Sequence, residues 1–417
     1  MDGSQGPSAA VPPDPWSIPI ETIDPSRAEL YVTGAQHDYF RRLRHEDPVH
    51  YCAESAFGPY WSITRFNDIM AVDSNHAVFS SNRDIVIGDQ EDAFAPPMFI
   101  AMDPPRHDDQ RKAVSPAVAP ARLADIEVLI RRRAGVILDS LPRNETFNWV
   151  ELVSKELTTQ MLATLFDFPW EDRHLLPYWS DVTTTTDIVG VATADEARRQ
   201  EELGKCLAYF TELWRERARQ PPKFDFISLF AHHPETRDMV DNPMELMGNL
   251  MLLIVGGNDT TRNSISGGLL ALNQCPDQYA KLKADRSLIP NMVPEIIRWQ
   301  TPLAYMRRTA LVDAELGGKT IHAGDKLAMW YISGNRDAEA IENPDHFIID
   351  RARPRQHLSF GFGIHRCVGN RLAELQLTIL WEEIMKRFPY IELMEEPKRV
   401  YSSFVHGISS MMVRIPG

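Results

Sequence analysis

Apolar positions change their spacing several times along the chain, and each change marks a different kind of element. From Pro48 to Thr64, the residues Val49, Tyr51, Tyr60, Trp61 and Ile63 flank a turn at Gly58 and Pro59, which predicts a hairpin. The chain from Asn67 onward reads as helix. Between Asp84 and Met102 an acidic patch, Pro96, Pro97 and bulky apolar residues alternate without period, so a long irregular loop is expected there. Loops of that length usually carry function. Helical patterns dominate from His107 to the region of Asp195 and again from Glu196 to Arg219, broken by prolines and by the run Thr183 to Thr186. A long helix is predicted over roughly Pro243 to Asn273, with Pro243 at an early position where a missing N–H costs little. Short strand-like pieces follow around Leu316 to Leu327, then irregular chain to Gly369 and a helix from Asn370 to about Phe388. The segment Lys398 to Ile415 reads as a further hairpin. Residues 1–25, rich in Pro, Ser and Gly, read as a loose arm with little regular structure, ahead of one domain over 26–417. The fold class expected is mainly α with small β-sheets.

Composition changes this picture little. The 417 residues are 43% hydrophobic and 24% charged, enough apolar material for a sizeable core. A net charge of -14 argues against a nucleic-acid binder held by phosphate neutralisation. The four cysteines, Cys52, Cys206, Cys275 and Cys367, are scattered and lack paired metal-ligand spacing, so neither a disulfide framework nor a zinc site is expected. No basic region followed by an apolar stretch opens the chain, and the most apolar run, Leu250 to Val255, is far short of the ~20 residues that cross a bilayer. A cytoplasmic protein without a membrane anchor is the expectation.

The richest segment chemically is Phe360-Gly361-Phe362-Gly363-Ile364-His365-Arg366-Cys367-Val368-Gly369, followed by a strongly helical stretch. A cysteine held there lies at a helix N-terminus, where backbone N–H groups stabilise a thiolate. An anionic sulfur is what an iron porphyrin needs on its proximal side for cleavage of dioxygen rather than reversible binding. A lone cysteine in a glycine-rich turn would more simply be a small buried hydrophobe. The whole order of residues, however, resembles the haem-binding loop of the cytochrome P450 family at every defining position. The resemblance implies heme b as cofactor, Cys367 as the metal ligand, Phe360 and Gly361 as part of the cofactor-binding loop, and a mostly helical triangular prism as the fold.

Within the long helix lies Gly256-Gly257-Asn258-Asp259-Thr260-Thr261. Two adjacent glycines in a helix interior cost about 1 kcal/mol each relative to alanine, so something besides helix stability is served. A local opening of the hydrogen-bond ladder is the natural candidate. The freed groups and the Thr260 hydroxyl would hold dioxygen and a water, while Asp259 relays protons. Glycines for close helix packing are the plainer alternative for the segment alone. It also matches the acid-and-alcohol pattern of the same family, which makes Asp259 and Thr260 the catalytic candidates. Leu252, Val255, Gly256 and Thr260 fall on one face at steps of three and four.

Further positions matter through the resemblance. Glu295 and Arg298 stand three apart on a predicted helix and, with Arg351, match a network behind the cysteine loop. His107, Arg111, Arg308 and His365 match the cationic groups that hold the two haem propionates. Arg308 is favoured over its neighbour Arg307 by its place in the pattern.

The family chemistry implied is insertion of one oxygen atom from O2 into a C–H bond of a hydrophobic substrate. Electrons would come from separate partners, a ferredoxin and a ferredoxin reductase, docking near Arg353, Arg355 and Arg366. Lining segments expected are Ile85 to Met102, the Thr183 region, Leu252 to Gly256, Leu303 to Met306 and Ser402 to Val405. The words Ala101-Met102-Asp103-Pro104-Pro105, Gly256 to Ser264 and Tyr401 to Val405 resemble the bacterial subgroup that hydroxylates alkanes and fatty acids at the terminal methyl. The substrate-binding candidates are therefore Leu252, Val255, Gly256, Leu303, Phe404 and Val405, with Leu303 and Phe404 forming a constriction. The alternatives are a cyclic substrate such as a terpene or N-heterocycle, a peroxide-driven variant, and a non-catalytic haem sensor.

Overall fold

The computed structural model describes residues 11–82, 84–89, 96–184 and 194–417. Its spine is the helix Pro243–Gln274, whose start is capped by the Asn242 side chain and whose first turn carries Pro243. Nearly every side of this helix is covered. The helices Glu156–Leu165, Leu175–Thr184, Ile289–Gln300 and Asn370–Arg387 all pack against it. Its buried apolar side chains belong to one large cluster that includes Trp149, Trp214 and Trp381.

Sheets occupy the flank of this helical body. The largest has five strands in the order Val49–Cys52, Tyr60–Ile63, Lys326–Met329, Met306–Ala310, Phe79–Ser80. The first two form the expected hairpin, with Val49 opposite Ile63 and Cys52 opposite Tyr60. The pairing of Tyr60–Ile63 with Lys326–Met329 is parallel, and the remaining pairs are antiparallel. Mainly α with small sheets is the observed class.

Two expectations need correction, and a third element was not foreseen. From residue 11 the N-terminal segment is not loose. It forms 3₁₀ turns at Pro15–Ser17 and Ile20–Thr22, and Ile23 is fully buried. Its carbonyls are taken by side chains of the following helix: Tyr39 donates to Pro13 at 2.8 Å, and Arg42 donates to Pro15 and, at 2.6 Å, to Ile18. Composition suggested looseness, but satisfied backbone groups decide order. Second, the stretch Lys398 to Ile415 is not one hairpin. Lys398–Arg399 pairs with Ile408–Ser410, but Met412–Arg414 leaves for a separate sheet with Thr146–Asn148 and Glu392–Leu393. Third, Met306–Ala310 is a central strand that the sequence pattern hides, because its two arginines are buried polar residues where alternation leads one to expect apolar ones. Parts of two expected lining segments, residues 90–95 and Thr185 with Thr186, lie outside the described residues.

Candidate functional site

The cysteine loop reverses direction just before the helix Asn370–Arg387. The Cys367 amide donates to the Phe360 carbonyl at 2.8 Å, and the Gly361 amide to Leu358 at 2.8 Å. Gly361 and Gly363 adopt φ of +67° and +66°, a backbone region that side-chain-bearing residues rarely enter. Cys367 is exposed as a residue, yet burial is the largest influence on its thiol. That burial pushes the thiol above its ordinary range, against the Gly369 amide, Arg111 and Arg366, which pull it down. Placement near a helix N-terminus does not by itself make the sulfur anionic, as the sequence suggested; a coordinating metal deprotonates a thiol outright.

Two histidines meet beside the loop. The His107 and His365 ring centroids are 4.2 Å apart, and both side chains are buried. His107 Nε2 and both ring nitrogens of His365 have no hydrogen-bond partner. Burial is the largest influence on both and lowers both, His365 to about 2. Buried ring nitrogens without partners are costly and rare. They suit a polar group held in the same space, as a haem carboxylate would be. Arg111, on the helix Arg106–Val114 with His107, donates to the Arg366 carbonyl. Arg308 is buried and acts electrostatically on His365. Its neighbour Arg307 is committed elsewhere, to Asp89 at 2.7 Å and to the carbonyls of Val86 and Ile87. The four predicted propionate residues thus gather around the cysteine loop, and Arg307 does not join them.

On the long helix, Leu252, Val255, Gly256 and Thr260 are partly open, while Leu253, Ile254, Asn258 and Asp259 are buried. A Cβ added to Gly256 would meet nothing within 4 Å, whereas one on Gly257 would come 2.8 Å from Leu162. One glycine borders open space and the other permits close packing, so the plainer packing reading holds at Gly257. The expected opening of the ladder is not seen. The helix runs unbroken through both glycines, and the Thr260 hydroxyl donates to the Gly256 carbonyl at 2.8 Å. A threonine can satisfy its hydroxyl one turn back without parting the helix.

Asp259 faces away from that strip. It pairs with Arg262 at 2.6 Å and accepts from Ser180 at 3.3 Å, and Arg262 reaches Asp181 at 3.0 Å. Asp181 lies 3.6 Å from Lys155, itself paired with Glu151 at 3.2 Å. A file of charged groups thereby joins the buried carboxyl to the half-exposed Glu151. Burial holds the Asp259 carboxyl up at about 6 despite Arg262. Arg262, Asp181 and Lys155 were not singled out from sequence. Only Arg262 had a visible signal, its spacing of three from Asp259.

Behind the loop, Glu295 and Arg298 are fully buried and bonded at 2.7 Å, with Arg351 at 2.9 Å from the same carboxylate. Arg298 also donates to the carbonyls of Asn335, Pro344 and His346. Asn335 in turn binds the Leu358 amide at 2.7 Å, immediately ahead of the cysteine loop. The predicted network therefore stands where it can brace that loop. The segments that carry Leu303 and Phe404 run side by side: Leu303 bridges Val405, and the Ala304 amide donates to the Phe404 carbonyl at 2.8 Å. Among expected docking cations, Arg353 and Arg366 are exposed, but Arg355 is paired with Glu374 at 2.8 Å.

A mostly helical body that carries one glycine-rich cysteine loop ahead of a helix, and an acid–alcohol pair on its longest helix, is the architecture of a haem-thiolate oxygenase. The family model for cytochrome P450 matches residues 193–413. Linalool 8-monooxygenase of Pseudomonas putida is 36% identical over 94% of this chain and 99% of its own length. A methyl-branched lipid omega-hydroxylase of Mycobacterium tuberculosis is 32% identical over 96% of each chain. Among solved structures, cytochrome P450-153 from Novosphingobium aromaticivorans superposes with a TM-score of 0.89 at 46% identity, covering 96% of this chain and 99% of that one. The chain belongs to the cytochrome P450 family: it is a haem b monooxygenase that acts with O2, a hydrophobic substrate and redox partners. Among the described residues, no helix is long and apolar enough to cross a membrane.

Proposed function

We propose that this monooxygenase hydroxylates the terminal carbon of a medium-chain alkane or fatty acid, drawing electrons from a ferredoxin and its reductase. The observation that carries the reading is the open apolar strip of Leu252, Val255 and Gly256 ending at the Thr260 hydroxyl. A strip one residue wide on one helix face suits an extended chain. When bound, the haem supplies the activation of dioxygen. Cys367 would ligate its iron, and Arg111, Arg308, His107 and His365 would hold its propionates. Thr260 would orient a proton donor at the open side of the helix, and Asp259 would pass protons inward from the Glu151–Lys155–Asp181–Arg262 file. Leu303, Phe404 and Val405 would restrict the approach so that only a chain end arrives. Exposed Arg353 and Arg366 would meet an acidic ferredoxin.

A terpenoid substrate is the second reading, favoured by the linalool-acting relative. Spin-state titration of the ferric protein with alkanes, fatty acids and cyclic amines or terpenes separates the two. In a fitted channel, each methylene contributes about 0.8 kcal/mol, so affinity should rise steadily with chain length. A flat series with tight terpenoid binding would reject the linear-chain reading. Loss of the thiolate-type reduced carbonyl spectrum in Cys367→Ala is required by either.

A further inference from the structure

We propose that Asp73 is a positioning residue that fixes the cysteine loop and the buried Arg308 relative to one another. The proposal rests on the reading of Cys367 as iron ligand. Asp73 ends an apolar stripe, with Phe66, Ile69 and Val72 buried on the same helix, and is itself 2% exposed. An acid on the core face of a helix is unfavourable unless it is fully partnered. Here it is. One carboxylate oxygen pairs with Arg308 at 2.6 Å. The other accepts from the Phe362 amide at 2.7 Å and from the Tyr331 hydroxyl at 2.9 Å.

These three donors come from three places: a central strand, the short helix Tyr331–Gly334, and the cysteine loop itself. Both loop glycines lie against the same residue, and Gly363 has no room for a side chain there. A Cβ on Gly361 would lie 3.5 Å from the Asp73 carboxylate, and one on Gly363 would run into the Asp73 carbonyl. The loop thus lies flat against the end of the Phe66–Ser74 helix, and one carboxylate ties it there. Arg308 has its other amine on the Arg307 carbonyl at 2.8 Å, so Asp73 is the group that sets its direction. The charge consequence is separate from the geometric one. Asp73 balances the charge of Arg308; removing the carboxylate leaves the surroundings of the loop one unit more positive. A nearby cation favours the reduced iron, which carries one positive charge less.

The test compares holoenzyme of wild type, Asp73→Asn and Tyr331→Phe. Transfer of haem to apomyoglobin reports loop anchoring, and the ferric/ferrous midpoint reports charge. Asp73→Asn should release haem at least tenfold faster and shift the midpoint to more positive values. Tyr331→Phe removes one neutral donor, so it should speed release a few-fold and leave the midpoint in place. A merely structural acid would move stability and release but not the midpoint. Wild-type release and midpoint in Asp73→Asn would overturn the proposal. Should that variant fail to fold, unchanged haem release in Tyr331→Phe would overturn it and faster release would support it. A wild-type reduced carbonyl spectrum of histidine type would instead reject Cys367 as ligand, a distinct failure.

Discussion

Asp259 and Arg262 close a 2.6 Å ion pair one helical turn apart inside the protein, while Thr260, the next residue after the acid, points its hydroxyl toward the open strip. Proton delivery from Asp259 to that strip must therefore cross the helix, or the acid must leave its arginine. Removing the acid should slow oxygen activation without disturbing substrate entry. Asp259→Asn is expected to lower kcat by about a hundredfold, the low end for loss of a proton-transfer group, with an unchanged spin-state response to substrate. Equal kcat would exclude Asp259 from the proton path.

The same acid has a pH signature. Its folded value is raised to about 6 by burial. A raised carboxyl binds its proton more tightly folded than unfolded, so its stabilising contribution is complete below the unfolded value of about 4 and is lost as pH climbs through 6. Asp259→Asn lacks this dependence. The melting temperature of wild type relative to that variant should therefore be higher at about pH 5 than at about pH 7.5. A difference that does not vary with pH would contradict burial as the dominant influence.

The buried acid of the loop support behaves differently, since Glu295 carries two arginines at once. Glu295→Gln keeps the shape but leaves Arg298 and Arg351 without a counter-charge in a fully buried place. Breaking such a pair typically costs about 3–5 kcal/mol. Denaturant unfolding of the variant should show a loss of that order, and haem incorporation should fall with it. A change below about 1 kcal/mol, the scale of exposed pairs, would place the network outside the fold's support.

Much of this was legible in the sequence, but unevenly. The long helix was marked by Pro243 and its apolar run, and the cysteine loop by glycines whose positive φ no other residue adopts comfortably. Glu295 and Arg298 could be read from a spacing of three. Asp73 could not, because an acid in an otherwise amphipathic helix reads as solvated until its donors arrive from residues more than two hundred positions away. The Met306–Ala310 strand was obscured for the same reason: Arg307 and Arg308 are buried by partners that no local pattern announces. The unbroken helix at Gly256 and Gly257 shows the converse limit, that local propensity suggests a defect which tertiary packing removes.

Those two glycines give opposite predictions for the same substitution. Gly256→Ala places a methyl group in open space, so it should be tolerated and stabilise the helix by up to about 1 kcal/mol. It also narrows the strip, so affinity for the longest chains should drop. Gly257→Ala drives a methyl group into Leu162 and should destabilise by about 1–3 kcal/mol, with binding of short chains little changed. Thermal melts and chain-length titrations of both variants check this. Equal stability effects would mean the two positions are not distinguished by packing.

Selectivity for a chain end is the most demanding part of the proposed function, because terminal C–H bonds are intrinsically less reactive than those within the chain. Geometry has to impose it. Phe404 is placed for this: its carbonyl is fixed by the Ala304 amide at 2.8 Å, its ring stands edge-on to Tyr305 with centroids 5.2 Å apart, and Leu303 bridges the adjacent Val405. The backbone pairing and the Tyr305 contact together fix where the Phe404 ring stands. Phe404→Ala removes the ring while leaving the backbone pairing in place, and Leu303→Ala shortens the second side chain of the proposed constriction. Both should turn over a linear substrate at rates within a few-fold of wild type but shift product from the terminal carbon to positions further in, with a larger shift in the double variant. Product analysis by gas chromatography on one alkane measures the ratio directly. An unchanged terminal fraction in both variants would remove these residues from the constriction.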